Sequence, residues 1–91
     1  MFVHIGADVE IMIRDLIGIF DMKSIEESKI TMEFLKVAQE EGFVSVVSKE
    51  DIKTMIITEE KGRSVVYLSP ISSATLQKRI NLISDLSIIN K

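Results

Sequence analysis

The sequence predicts a small α+β domain: an antiparallel or mixed β-sheet that carries two helices. Three observations predict it. Short β-branched runs recur through the chain, separated by glycine-bearing or charged turns. Two longer segments, 28–41 and about 73–87, place apolar residues at i, i+4, i+7. Between the last run and the last helix lies Val65 to Arg79, where extended chain must become helical within a few residues. At Ser69-Pro70 the proline lacks an amide hydrogen and disfavours α geometry before it, which ends the strand, and Ser72 or Ser73 can cap the helix that follows. With 91 residues, 46% of them hydrophobic, the chain is read as one domain over 1–91, with a single core whose stability can depend on a partner.

Phe2 to Ile5 and Val9 to Ile13 read as strands of a hairpin, turned by Gly6-Ala7-Asp8. Arg14-Asp15 interrupts the apolar pattern, which puts Arg14 at a bend or bulge. Leu16 to Phe20 is a third strand despite Gly18. Two helix starts then compete: Ser24-Ile25-Glu26-Glu27 fits a capping box, and Ser28 is a second cap. Ile30, Phe34 and Val37 form the stripe of that helix, widened by Leu35 and Ala38, and Gly42 supplies a left-handed end. Phe43 to Val47, Thr54 to Thr58 and Ser64 to Leu68 are the remaining strands. Met55-Ile56-Ile57 is apolar on both faces, so that strand is expected to be central.

The last helix carries more apolar surface than one core needs. Leu76, Ile80 and Ile83 form one stripe, and Leu82, Leu86 and Ile89 form another about 100° around the axis. If the first packs on the sheet, the second is covered by another subunit or by deep burial in the same fold. The subunit contact is the expectation carried forward.

Composition excludes several functions. There is no cysteine and only one histidine, His4, which removes disulfides, thiolate metal sites and most zinc and Ser/His/Asp arrangements. The serines near the corner lack a Gly-x-Ser-x-Gly setting and have caps to make. Four scattered glycines build no phosphate-cradling loop, and the acidic residues never reach calcium-loop spacing. No enzyme, cofactor or metal is expected. The start shows no basic region followed by an apolar run, and no segment approaches the roughly 20 apolar residues that cross a bilayer, so a cytoplasmic protein without a membrane partner is expected.

A net charge of −3 argues against a monomer that coats nucleic acid nonspecifically, so any DNA contact must come from a local basic patch. Several cations sit in turns: Arg14, Lys49 and Lys53 about the middle loop, and Lys61 and Arg63 at the last turn. Loops on a rigid sheet present such groups to phosphates or guanine edges. Glu50, Asp51, Glu59 and Glu60 share those turns, so ordinary solubility explains the same pattern.

With these elements placed, the chain resembles the Rem family of small bacterial extracellular-matrix (biofilm) regulators, its RemB-type branch more than its RemA-type branch. The residues that carry the resemblance are Val3-His4-Ile5-Gly6, Arg14 to Asp21, Glu33-Phe34-Leu35-Lys36 and, most specifically, Tyr67 to Arg79. The resemblance implies a transcriptional regulator with a LytTR-like fold that assembles into a ring, with duplex DNA wrapping on a surface repeated by each subunit. A ring turns one weak basic loop into a multivalent surface. By this resemblance Arg14 matches the position of a DNA-contacting arginine in the RemA-type branch. The arginine pair that the RemA-type branch carries in the middle loop falls here on Glu50-Asp51, which leaves Lys49 and Lys53. The sequence-level candidates are therefore Arg14, Lys49 and Lys53 for DNA, and Leu82, Leu86 and Ile89 for a homo-oligomer. A rival reading, favoured by Glu50-Asp51, is a ring-forming scaffold or co-regulator that does not bind DNA and mixes with another family member.

Overall fold

The alternation in the central strands decides the layering. Met55 and Ile56 are both fully buried yet face opposite ways, as do Val66 and its half-buried neighbour Tyr67, so the sheet must be covered on both sides. A computed structural model describes residues 1–48 and 51–89, with side chains through 83. The elements are β1 (Phe2–Gly6), β2 (Val9–Met12), a 3₁₀ turn (Ile13–Asp15), β3 (Leu16–Asp21), α1 (Met22–Glu26), α2 (Lys29–Glu40), β4 (Val44–Val46), β5 (Thr54–Glu60), β6 (Arg63–Ser69) and α3 (Ser73–Ile89). The architecture is α+β. β1 and β2 pair as an antiparallel hairpin; the main sheet has the order β3-β5-β6-β4, antiparallel except for the parallel β4–β6 pair.

One core joins the hairpin, α3 and one sheet face through Val3, Ile5, Ile11, Ile56 and Leu76. The other joins α1, α2 and the opposite face through Ile25, Leu35, Ala38, Met55, Val66 and Leu68. Met55 to Ile57 therefore lies in a central strand, as its apolar run predicts. In α3, Leu76, Ile80 and Ile83 pack on the first core, also as predicted, while Leu82 is 62% exposed. Leu86 and Ile89 fall on α3, but their side chains lie outside the described residues.

The first helical region differs from expectation in two ways. Two helices form where one was expected: Asp21, not Ser24, caps the short α1 by accepting a hydrogen bond from the Lys23 amide (3.0 Å), and Ser28 caps α2 by accepting from the Thr31 amide (3.3 Å). There are thus three α-helices among the described residues, not two. The stripe Ile30, Phe34 and Val37 does not face the core. Ile30 is 82% exposed and Phe34 45%, and it is Leu35 and Ala38, the residues expected to widen the stripe, that join the core with Met55, Val66 and Leu68. The end of α2 is as predicted. Gly42 takes φ +78°, its amide donates to Gln39 O and the Phe43 amide to Ala38 O, the paired bonds of a Schellman cap.

The strand-to-helix corner fixes the hairpin to the sheet. Ser72, not Ser73, caps α3, accepting from the Thr75 amide at 3.3 Å. Ser69 is fully buried; its hydroxyl donates to Ile5 O (2.6 Å) and accepts from the Ile71 amide (3.0 Å). The β1–β2 register is irregular between His4 and Gly6, so Ile5 has no β2 partner opposite it and its carbonyl turns to Ser69. Gly6 (φ +127°) lies beneath Pro70, where a Cβ would meet Pro70 Cδ and Val47 Cγ1, each at 3.1 Å. Arg79 adds a further tie, its guanidinium donating to His4 O at 2.9 Å.

Candidate nucleic-acid interface

Arg14 lies where the sequence places it, at an interruption. Strand β2 ends at Met12, and the 3₁₀ turn Ile13–Asp15 carries the chain into β3 with Arg14 facing solvent, its side chain 76% exposed. Leu16 is paired with Thr58, which sets this turn beside the end of β5. There the chain reverses through Lys61-Gly62, with Glu60 opposite Arg63. Both turn residues have positive φ, +52° and +79°, which is a two-residue type I′ hairpin. Glycine occupies its position without cost; lysine in the left-handed region costs roughly 1–2 kcal/mol where asparagine or glycine is favoured.

Arg14, Lys61 and Arg63 thereby line one groove of about 640 Å³, together with the apolar Phe2, Ile11 and Val65. Three acids line it too, Glu10, Asp15 and Glu60. They are not equivalent in depth. Glu60 Oε2 accepts hydrogen bonds from the Thr58 and Tyr67 hydroxyls, both at 2.7 Å, which holds its carboxylate inward. Asp15 is only 22% exposed and pairs with Arg14 Nε at 3.7 Å, the only ion pair among the described residues. Lys61 and Arg63 are exposed and make no ion pair among those residues. Positive charge is outward and two of the three anions are drawn in. Tyr67, which donates to Glu60, feels those anions: burial, then the hydrogen bond to Glu60 and its charge, then the charge of Asp15, push its hydroxyl up to about 12.

The other predicted DNA contacts are elsewhere. Lys53 precedes β5 at its opposite end, held through its backbone by the Ser69 carbonyl and the Met22 amide. Thr58 lies five residue steps further on, about 17 Å along the strand. It lines a second groove with Lys23, Asp21, Glu26 and Asp51, where acids outnumber cations. Lys49 lies outside the described residues. The structure thus separates Arg14 from Lys53 and instead places Arg14 beside Lys61 and Arg63. Sequence reasoning noted the latter pair as turn cations but did not join them to Arg14, because the β3–β5 pairing that brings the two turns together leaves no local signal. Among the described residues no three His, Asp or Glu side chains gather as metal ligands would, and no helix is long and apolar enough to cross a membrane.

Comparison with known proteins identifies the lineage. Residues 2–80 match the family model described as extracellular matrix regulatory protein A-like. The chain belongs to the extracellular-matrix regulator family. It is 38% identical over 79 residues to extracellular matrix regulatory protein B of Bacillus subtilis (strain 168), covering 87% of this chain and 89% of that protein. The match supports a RemB-like member with a role in matrix or biofilm regulation. It spans β1 through the first half of α3, so the hairpin, Arg14, the β5–β6 turn and the corner of this matrix regulator all fall inside it.

Proposed function

We propose that this matrix regulator is a DNA-binding transcriptional regulator of extracellular-matrix genes, without enzymatic activity, that acts as a ring of identical LytTR-like subunits. The observation that carries the DNA reading is Arg14: a guanidinium 76% exposed on a rigid turn, at the mouth of a groove whose acids are mostly turned inward. Such a group makes phosphate contacts and bidentate contacts to guanine. One such patch on an acidic subunit binds DNA weakly; the same patch repeated around a ring binds by avidity. The ring reading is supported by uncovered apolar surface, Leu82 on α3 and Ile30, Phe34 and Val37 on α2, with Leu86 and Ile89 continuing the α3 stripe in sequence.

A second reading has its own support. The groove around Lys53, with Asp51 in its lining, is net acidic, and Glu50 adds to it in sequence, so a ring-forming scaffold or co-regulator that mixes with another family member fits that end of the sheet. An electrophoretic shift assay on matrix-gene promoter duplexes across a salt series separates the two. The DNA reading expects a shift that weakens steeply with salt and is reduced by Arg14→Ala. No shift even at low salt favours the scaffold, whereas a shift unchanged by Arg14→Ala rejects both the scaffold and Arg14 as the contact.

A further inference from the structure

We propose that the tip of the β5–β6 hairpin, Lys61 and Arg63, forms together with Arg14 a single phosphodiester-binding element at one end of the sheet. This inference rests on the DNA-binding reading and deepens it by moving the contact surface away from Lys53 and the middle loop. Three independent observations converge on it. The 3₁₀ turn and the hairpin tip line the same groove, although about 47 residues of chain separate Arg14 from Lys61. Both tip cations are exposed and without an ion pair among the described residues, whereas the Glu60 carboxylate between the strands is occupied by two hydroxyl donors. Lys61 holds a left-handed conformation at a turn position that asparagine or glycine fills without strain, so local folding does not account for a lysine there. The type I′ turn is also short and rigid, which suits a contact that must meet the sugar-phosphate backbone at fixed height.

The contact is electrostatic and sequence-independent: it positions the duplex and does not read bases. Removing one cation from a phosphate makes the slope of log K against log salt shallower by about 0.9 and weakens binding about eightfold at roughly 0.1 M salt for each subunit that touches the duplex. Lys61→Asn retains the turn and takes away one cation; Arg63→Gln takes away the other; Lys53→Ala is the control at the far end of the sheet. The test measures binding of a fluorescent promoter duplex by the full-length protein across a salt series, with thermal melting of each variant. The expected result is that Lys61→Asn melts at or above wild type yet binds more weakly with a shallower slope. Arg63→Gln weakens binding similarly, and Lys53→Ala leaves the slope unchanged. If wild type binds and Arg14→Ala weakens it, but Lys61→Asn and Arg63→Gln match wild type in slope, the tip assignment is wrong while the DNA reading stands. If wild type does not bind even at low salt, both fall together.

Discussion

Replacing Ser69 with alanine isolates the bond that docks the hairpin, and with it the Arg14 groove, on the sheet. Ser69 Oγ serves two groups at once, donating to Ile5 O and accepting from the Ile71 amide. Alanine leaves both unserved. The Ile5 carbonyl sits at the irregularity of β1 with no β2 residue opposite, on a buried residue beside a fully buried one, so its loss costs about 1–3 kcal/mol. Ile71 is half-buried and water recovers part of its loss, leaving about 1 kcal/mol. The sum is about 3 kcal/mol. For a domain of this size 1 kcal/mol moves the melting temperature by about 4–8 °C, so Ser69→Ala should melt about 12–24 °C lower. Ser72→Ala, which removes only an exposed helix cap, should cost about 1 kcal/mol. Thermal melts by circular dichroism at equal protomer concentration, since association shifts the midpoint, compare the two. A Ser69→Ala protein that melts within about 4 °C of wild type, or no lower than Ser72→Ala, refutes the docking role of this serine.

Gly6→Ala should destabilise by about 1–3 kcal/mol, read in urea melts, because the new Cβ meets Pro70 and Val47 at 3.1 Å in a backbone conformation that only glycine holds comfortably. Leu82→Glu and Phe34→Glu should each lower the mass seen by light scattering while leaving the far-ultraviolet spectrum unchanged, since both side chains are uncovered within the subunit. The chain has one tyrosine and no tryptophan, so phenolate absorbance reports Tyr67 alone, and its native titration should centre near pH 12 against about 10 in denaturant. Because the folded value is the higher one, the native state holds the proton between those limits. This contribution to stability is complete below pH 10 and declines as pH rises to 12. Tyr67→Phe should flatten that part of the profile.

Local rules made much of the fold legible. The hairpin, the interruption at Arg14, the central strand, the α3 stripe and the Gly42 cap each follow from a residue's own backbone preference or from a period within one element. What was not legible depended on neighbours. Residues 30, 34 and 37 share one apolar face with 35 and 38 in sequence, and only packing against Met55, Val66 and Leu68 shows that the edge with Leu35 and Ala38 is the buried one. Helix α1 was hidden because five residues are too few to show a period, although Asp21 signals its start. The groove escaped for a similar reason. Arg14 and Lys53 look equally turn-borne in sequence, and only the β3–β5–β6 register shows that Lys61 and Arg63, not Lys53, share the end of the sheet with Arg14.

The most direct measurement is the mass of the protein, alone and on a promoter duplex at physiological salt, by sedimentation. A repeated weak patch on an acidic subunit predicts an oligomer at micromolar protein and a complex containing several subunits per duplex. A monomer that sediments independently of the DNA contradicts it.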